Sequence, residues 1–201
     1  MTKIKLCGLS RPCDIEAVNE LKPEYIGFVF APKSKRYISD ERAELLKSML
    51  SPEIQTVGVF VNEAVERVAS LLNKGIIDIA QLHGNEDEAY ISRLRELSDR
   101  PIIKAFKVKE EKDIEEALAS SADYILLDSG AGSGELFDWS LLEKIKRPYF
   151  LAGGLDKDNV SSAVRLLKPY AVDVSSKIES NGVKDREKMV AFTTAVRKEI
   201  I

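Results

Sequence analysis

The sequence predicts a single-domain (β/α)8 barrel of eight parallel strands, with residues 1–201 in one domain. Apolar runs of strand length alternate with segments of helical period, which implies parallel strands joined by right-handed crossovers. The strands read as near-continuous apolar runs, as expected when both faces of a sheet are buried. Eight units in 201 residues give about 25 residues each, the lower limit for this fold. A doubly wound open sheet is the alternative, but eight regular units suit closure better.

The strands are predicted from short apolar runs bounded by turn residues. The first run, KIKLCG, extends from Lys3 to Gly8 and ends in a cysteine followed by a glycine. Seven further runs have the same character: Tyr25–Ala31, Thr56–Val61, Ile77–Gly84, Pro101–Val108, Asp123–Ser129, Pro148–Gly154 and Ala171–Ser176.

The helices are predicted from the segments between these runs, in which apolar residues recur with helical spacing. Ala43, Leu46 and Leu50 show this spacing on one face of the second helix. The eight predicted helices are Asp14–Leu21, Asp40–Leu50, Ala64–Asn73, Glu86–Leu97, Glu110–Ala119, Ser140–Ile145, Asn159–Leu167 and a last helix from Asp185 towards Ile200.

The composition of the chain argues against proteins that bind nucleic acids or membranes. The chain has a net charge of −3 and a pI of about 5.5, and it contains no block of lysine and arginine. We therefore expect no nucleic acid and no membrane among its partners. No apolar run approaches the ~20 residues that a membrane helix needs.

The cysteines also restrict the interpretation. Cys7 and Cys13 are too few for a disulfide framework, and with the single histidine they cannot form a zinc site, so no metal is predicted. Met1 leads almost directly into a strand, which leaves no room for a signal peptide. A cytoplasmic location is therefore expected.

Candidate site residues are the polar residues at the carboxyl ends of the strands, where barrels of this kind carry their chemistry. Going around the predicted barrel, they are Cys7, Lys33, Lys35, Arg36, Asn62, Gln81, His83, Lys107, Asp128, Gly153, Gly154, Ser175 and Ser176.

Three loops at this end resemble an anion cradle. They follow strands six, seven and eight and contain Gly132, Ser133 and Gly134, then Gly153 and Gly154, then Ser175 and Ser176. Glycines let the backbone approach a ligand and direct N–H groups at it, and the last two loops form the usual phosphate site of the fold. The alternative is that these glycines only make tight turns.

Cys7 and Asp128 form a plausible base and acid on different strands. The alternatives are a small buried hydrophobic residue for Cys7 and a loop or cap residue for Asp128. Cys13, in the first helix, is expected to serve packing. His83 either lines the pocket or makes a structural hydrogen bond. Arg36 either binds a carboxylate through its planar fork or belongs to a solvated loop.

The whole chain resembles the phosphoribosylanthranilate isomerase family. The motifs that carry the resemblance are KIKLCGLSR, GFVFAPKSKR, VGVFVN, QLHG, LLDSGAGSGELFDW, LAGGL and VDVSSKIESNGVKD. The resemblance implies an enzyme of tryptophan biosynthesis that uses neither metal nor organic cofactor. Its reaction is the Amadori rearrangement of N-(5-phosphoribosyl)anthranilate, an aminoaldose, to 1-(2-carboxyphenylamino)-1-deoxyribulose 5-phosphate, a ketose.

The resemblance also implies residue roles. Cys7 is expected to be the general base at C2′, Asp128 the general acid at the ring oxygen, and Arg36 the ligand of the anthranilate carboxylate. The three glycine and serine loops are expected to hold the phosphate, and His83 is counted among the substrate-binding residues.

Two positions depart from the family pattern, Ser10 where threonine is frequent and Lys177 where glycine is usual. Ser10 keeps the hydroxyl group, whereas Lys177 leaves the local phosphate contacts open. Other interpretations are another sugar-phosphate isomerase or epimerase barrel, or a catalytically silent barrel that binds a phosphometabolite. A monomer is favoured over a dimer.

Overall fold

The structure, a computed structural model, describes residues 1–128, 139–142 and 145–198. Its centre is a closed barrel of eight parallel strands in sequential order, so the predicted (β/α)8 architecture is confirmed and the open sheet is excluded. The strands are β1 (Lys3–Cys7), β2 (Tyr25–Val29), β3 (Gln55–Phe60), β4 (Ile79–Leu82), β5 (Ile102–Lys107), β6 (Tyr124–Asp128), β7 (Tyr149–Ala152) and β8 (Ala171–Val174).

Seven α-helices surround the barrel within the described part of the chain. They are α1 (Pro12–Leu21), α2 (Asp40–Ser48), α3 (Val65–Asn73), α4 (Glu88–Leu97), α5 (Glu111–Ala119), α6 (Val160–Leu167) and α7 (Arg186–Lys198). Their starts follow local rules: the Ser39 hydroxyl accepts a hydrogen bond from the backbone N–H of Arg42 at α2, and Pro12 occupies the first turn of α1. None of the described helices has the length and apolar character needed to cross a membrane.

Two connections differ from the prediction. Between β6 and β7 the described residues show a short 3-10 helix, Trp139–Leu142, where an α-helix over Ser140–Ile145 was expected. After β8 the chain forms a 3-10 helix (Ser176–Ile178) and a hairpin of β9 (Glu179–Ser180) and β10 (Val183–Lys184), which the sequence did not predict. Strands of two residues are too short to show a hydrophobic period.

Most predicted strands extend slightly beyond the observed ones, because their final polar or glycine residues belong to the loops. The barrel closes where β1 pairs with β8, with Lys3 opposite Ala171 and Leu6 opposite Val174. This closure places the loops after β7 and β8 beside Cys7 at the end of β1.

Alternation along β1 sets the position of the site. Ile4 and Leu6 face the helices and join the main apolar layer, whereas Cys7 clusters with Val29 and Val59 inside the barrel. Lys5 has the same parity as Cys7 and is fully buried between the two ends of the barrel. Below it, the interior is filled by apolar residues of strands β2 to β8: Tyr25, Val57, Ile79, Ile103, Ala105, Leu126, Phe150, Ala152 and Ala171.

Candidate active site

A cavity of about 470 Å³ opens at the carboxyl ends of the strands. Its volume suits a small organic ligand. It brings together most of the candidate site residues that the structure describes: Cys7, Arg36, Gln81, His83, Lys107, Asp128, Gly153, Gly154, Ser175 and Ser176. Lys33, Lys35 and Asn62, which were also candidates, do not line this cavity. Gly132, Ser133 and Gly134, which were also predicted to bind the phosphate, lie outside the described residues.

Cys7 is buried at the carboxyl end of β1, with 7% of its surface exposed. Gly27 on β2 makes room for it, because a Cβ atom at that position would lie 2.5 Å from the Cys7 Sγ. Burial raises the pKa of the Cys7 thiol, whereas the ammonium groups of Lys5 and Lys184 lower it and the carboxylate of Asp173 raises it. The net effect is an increase, so the thiol form dominates at neutral pH.

Lys5 connects β1 to two other strands. Its Nζ donates to Asp173 Oδ2 on β8 at 2.9 Å and to Gln81 Oε1 on β4 at 2.8 Å. Burial alone would lower the pKa of Lys5, but attraction by the Asp173 carboxylate, and by Cys7 when it is ionised, outweighs burial and raises it. Lys5 therefore remains an ammonium ion directly below Cys7.

The His83 ring, from the end of β4, lies close to the Asp128 carboxyl group, from the end of β6. Its Nε2 is 3.8 Å from Asp128 Oδ2, and its Nδ1 is 2.8 Å from Gln81 Nε2. The local sequence around His83 offered no carboxylate, and closure of the barrel supplies one from β6. Burial lowers the pKa of His83, with Asp128 opposing, so the ring is mainly neutral at pH 7.

Arg36 forms an ion pair with the carboxylate of Glu179. Its Nε donates to Glu179 Oε1 at 2.5 Å and its Nη2 to Glu179 Oε2 at 3.0 Å, and Lys184 donates to the same Glu179 Oε1 at 2.7 Å. Burial favours protonation of Glu179, but these two partners lower its pKa to about 2. Two of the five N–H groups of Arg36 are used, and within the described residues the other three are not donated.

The loop after β7 contains two consecutive glycines with positive φ, and the loop after β8 is hydrogen-bonded to β1. Gly153 and Gly154 have φ values of +93° and +65°, a backbone conformation that residues other than glycine rarely adopt. The Ser175 hydroxyl donates to the Cys7 carbonyl oxygen at 3.1 Å, and Lys184 donates to the Ser175 carbonyl oxygen at 2.9 Å. Ser175 thus joins β8 to β1 beside Cys7.

Lys177 lies on the rim of the cavity with an exposed side chain. It belongs to the 3-10 helix after β8 and is not among the residues with positive φ. The steric penalty expected from replacing a glycine at positive φ therefore does not arise in this chain.

Three residues around this site were not predicted from the sequence. They are Lys5, which lies below Cys7, and Glu179 and Lys184, of which Glu179 accepts hydrogen bonds from both Arg36 and Lys184. The available signal was the alternation along β1, which puts Lys5 on the same inner face as Cys7. The prediction for Cys13 was wrong, because it is exposed on α1 and does not serve packing.

Within the parts of the chain that the structure describes, no group of three or more histidine, cysteine, aspartate or glutamate side chains could hold a metal ion. The cavity offers a thiol, two carboxyl groups, a neutral imidazole and the cationic side chains of Arg36, Lys107 and Lys177.

Comparison with known proteins identifies related chains. A family model described as N-(5'-phosphoribosyl)anthranilate (PRA) isomerase matches residues 4–195. An N-(5'-phosphoribosyl)anthranilate isomerase from Endomicrobium trichonymphae is 46% identical over 98% of this chain and 99% of its own length.

Solved structures of such proteins have the same fold. Phosphoribosyl anthranilate isomerase from Thermotoga maritima superposes with a TM-score of 0.91 at 38% identity, covering 98% of this chain and 100% of that chain. A second structure, with a TM-score of 0.88, 37% identity and the same coverage, is a complex with reduced 1-(o-carboxyphenylamino)-1-deoxyribulose 5-phosphate. A third, with a TM-score of 0.87, 37% identity and coverage of 98% and 99%, shows generated monomers of the dimeric Thermotoga maritima enzyme.

Proposed function

The chain belongs to the phosphoribosylanthranilate isomerase family and is an aldose–ketose isomerase of tryptophan biosynthesis, and from this premise we propose which residues perform the reaction. Cys7 is the general base and Asp128 the general acid. The observation that carries the proposal is that these two groups, from strands on different sides of one barrel, line the same cavity.

The reaction needs one proton donor and one proton acceptor. Asp128 gives its proton to the ribose ring oxygen as the C1′–O bond breaks, which leaves a protonated imine at C1′. The Cys7 thiolate then removes the C2′ proton, and the electron pair of that bond forms the enamine, which tautomerises to the ketose. Each acid–base contribution is expected to accelerate the reaction by ~10²–10⁴-fold. The ammonium groups of Lys5 and Lys184 support the thiolate form of Cys7.

Two anion sites hold the substrate around the base. β1 lies between β2 and β8 in the closed barrel, so Cys7 stands between the Arg36 loop on one side and the loops after β7 and β8 on the other. The substrate carboxylate takes the remaining N–H groups of Arg36. The phosphate is held by the backbone at Gly153–Gly154 and Ser175–Ser176, together with Gly132–Gly134. The sugar then spans the space above Cys7.

The acid role is tested by Asp128→Asn, which keeps the shape of the side chain and removes the transferable proton. With wild-type protein, the fluorescence of freshly made phosphoribosylanthranilate should disappear as the ketose forms. The variant should lose ~10² or more in kcat. If only KM rises, Asp128 positions the substrate and another group is the acid. A wild-type protein that binds this substrate without converting it would support the silent barrel, and turnover of only another sugar phosphate would support the alternative isomerase or epimerase.

Assembly and location complete the proposal. The protein acts on a small-molecule substrate in the cytoplasm as a monomer, and residues 1–201 form one domain. Among the described residues, the exposed large hydrophobic side chains are spread over several elements, including Leu45 on α2, Leu118 on α5 and Leu166 on α6, which supports a monomer. Light scattering at several protein concentrations should give the mass of a monomer. Thermal or denaturant unfolding should show a single cooperative transition. A dimer, as in the Thermotoga maritima relative, would contradict the first of these.

A further inference from the structure

The buried ammonium group of Lys5 determines how the Gln81 side chain is oriented. Lys5 Nζ is a donor only, and it lies 2.8 Å from the position of Gln81 Oε1. Turning the amide by half a rotation would place its NH₂ group against the ammonium, donor against donor. Lys5 also donates to Asp173 Oδ2 at 2.9 Å, and this second contact anchors its position. The amide oxygen of Gln81 therefore faces Lys5.

Gln81 in turn determines which nitrogen of His83 carries the proton. With its oxygen on Lys5, Gln81 presents its NH₂ group to His83 Nδ1 at 2.8 Å. Nδ1 must then accept, so the proton of the neutral ring is on Nε2. That N–H lies on the side of Asp128, with 3.8 Å between Nε2 and Asp128 Oδ2.

The same contacts oppose protonation of His83. An imidazolium ion would need a hydrogen on Nδ1, directly against the NH₂ group of Gln81. The charged groups that face the ring are Asp128 on β6, Lys5 on β1, Asp173 on β8 and Lys104 on β5. Burial and the two lysines favour the neutral ring, and they outweigh the two carboxylates.

We propose that Lys5 is a positioning residue that acts through Gln81 to hold His83 as the Nε2–H tautomer, and that this N–H stabilises the carboxylate left on Asp128 after proton donation. The second part rests on the proposed role of Asp128 as general acid, whereas the tautomer does not. An N–H donor favours the ionised carboxylate over the neutral acid. His83 therefore assists proton donation to the ring oxygen and does not exchange a proton itself.

The tautomer can be observed directly, because the chain contains a single histidine. In protein labelled with ¹⁵N-histidine at pH 7, long-range ¹H–¹⁵N spectra should show a protonated Nε2 and an unprotonated Nδ1. A proton on Nδ1, or an averaged mixture of the two tautomers, would overturn the assignment. This measurement requires no substrate and is independent of the function of Asp128.

Two variants test the chain of contacts. In Gln81→Glu, a carboxylate faces Lys5 and Nδ1 together, so Nδ1 should become protonated and the wild-type nitrogen pattern should be lost. In Lys5→Met, the amide is free to turn, and both tautomers should appear. Circular dichroism shows whether Lys5→Met folds. If this variant does not fold, the Gln81→Glu variant alone tests the contacts. An unchanged pattern in a folded variant would refute the role of that residue.

The link to Asp128 is tested by two isosteres of His83. In His83→Gln the amide nitrogen lies near the position of Nε2, whereas in His83→Asn it lies near that of Nδ1. His83→Gln should retain kcat within about tenfold, and His83→Asn should lose at least ten times more than His83→Gln, with similar KM. The difference should disappear in an Asp128→Asn background.

The possible failures of this experiment are distinct. Equal loss in the two His83 variants, with the wild-type tautomer confirmed, removes the assistance to Asp128 and leaves the positioning by Lys5. Full activity of Asp128→Asn removes the proposed acid itself, whatever the spectra show.

Discussion

Two lysines of β1, Lys3 at the amino end of the barrel and Lys5 deeper inside it, have different kinds of partner. At the amino end, Lys3 Nζ donates to the Tyr170 hydroxyl at 2.7 Å and lies 4.6 Å from the centre of the Tyr170 ring. Two residues further along β1, Lys5 meets a carboxylate and an amide and lies below a thiol. The partners of Lys3 are neutral phenols and aromatic rings, whereas those of Lys5 form part of the proposed catalytic system.

The residues at the amino end of the barrel and those at its carboxyl end therefore have different roles. Tyr25, Tyr124, Phe150 and Tyr170 form connected ring contacts that close the amino end, with Tyr124 and Tyr170 stacked at 5.0 Å. The carboxyl end instead keeps an open cavity of about 470 Å³ surrounded by charged groups. In barrels of this kind the amino end serves stability and the carboxyl end serves activity. Variants at the two ends should therefore affect different measurements.

The largest effect is expected for Cys7→Ala. Removal of the proposed base should lower kcat by at least ~10²-fold, while the melting temperature and ligand affinity change little. Steady-state kinetics with thermal unfolding on the same samples measure both quantities. The matched control is Cys13→Ala, because Cys13 is exposed on α1 and should be silent in both. Near-wild-type turnover by Cys7→Ala would rule out the base role.

Arg36→Ala should mainly weaken binding. Loss of a charged hydrogen bond is expected to cost ~1.5–3 kcal/mol, or about 10- to 150-fold in Kd for ligands that bear the carboxylate. Glu179 keeps Lys184 as a partner at 2.7 Å, which limits the effect on folding. Calorimetry with a product analogue and with the same analogue lacking the carboxylate measures the difference. Equal weakening of both ligands would show that Arg36 is not the carboxylate anchor.

Tyr170→Phe tests the comparison at the other end of the barrel. It removes the hydroxyl that accepts from Lys3 and contacts the Tyr25 hydroxyl at 3.0 Å. The free energy of unfolding should fall by about 1.5 kcal/mol, the scale of a hydrogen bond to a charged group, while kcat stays the same. Denaturant unfolding and kinetics are measured side by side. A large loss of kcat with unchanged stability would contradict the division between the two ends.

Some of the residues in these predictions can be found in the sequence as the polar or glycine residues that end predicted strands. Cys7, Asp128 and Gly153 each follow an apolar run closely, so local sequence predicts that they reach the cavity. Arg36 lies farther from its strand, and it was the family motif that favoured its role over a solvated loop. Closure of the barrel was also predictable, because the regular alternation of strand and helix is visible along the whole chain.

The remaining partners depend on pairings between distant strands. Lys5 meets Asp173 because β1 pairs with β8 at the point of closure, and His83 meets Asp128 across the barrel. No local pattern contains either contact. Glu179 lies in a hairpin of two-residue strands, and its importance appears only when Arg36 is placed beside it. The fold was thus predictable, and so was the position of Cys7 and Asp128 at the cavity, whereas the contacts of Lys5 and His83 with distant strands were not.

A smaller effect concerns the pH dependence of Cys7. Burial raises the pKa of its thiol despite the opposing lysines, so less thiolate is present at a given pH than in an ordinary thiol. Alkylation by iodoacetamide should therefore rise with pH, with a midpoint above the usual value of ~8.5. The measurement uses the Cys13→Ala variant, so that one thiol reacts, with glutathione as the reference. A midpoint below that of glutathione would mean that the lysines outweigh burial.

The smallest effect is expected for Lys177→Gly, at the position that departs from the family pattern. The Lys177 side chain is exposed on the rim of the cavity and its backbone does not need a glycine. Backbone N–H groups after β7 and β8 can hold a phosphate without its ammonium group. The affinity for inorganic phosphate, measured by calorimetry across a range of ionic strength, should therefore change less than about twofold, with the same salt dependence.

Lys177→Gln serves as the matched control, because it removes the charge and keeps a side chain. Glycine in the 3-10 helix alone could lower stability by up to about 1 kcal/mol through backbone entropy, and glutamine avoids that cost. If both variants bind phosphate more weakly and with a shallower salt dependence, Lys177 contacts the phosphate as a point charge. If only the glycine variant is weaker, the backbone of the 3-10 helix matters and the ammonium group does not. Unchanged binding in both leaves Lys177 as a tolerated variant of the turn.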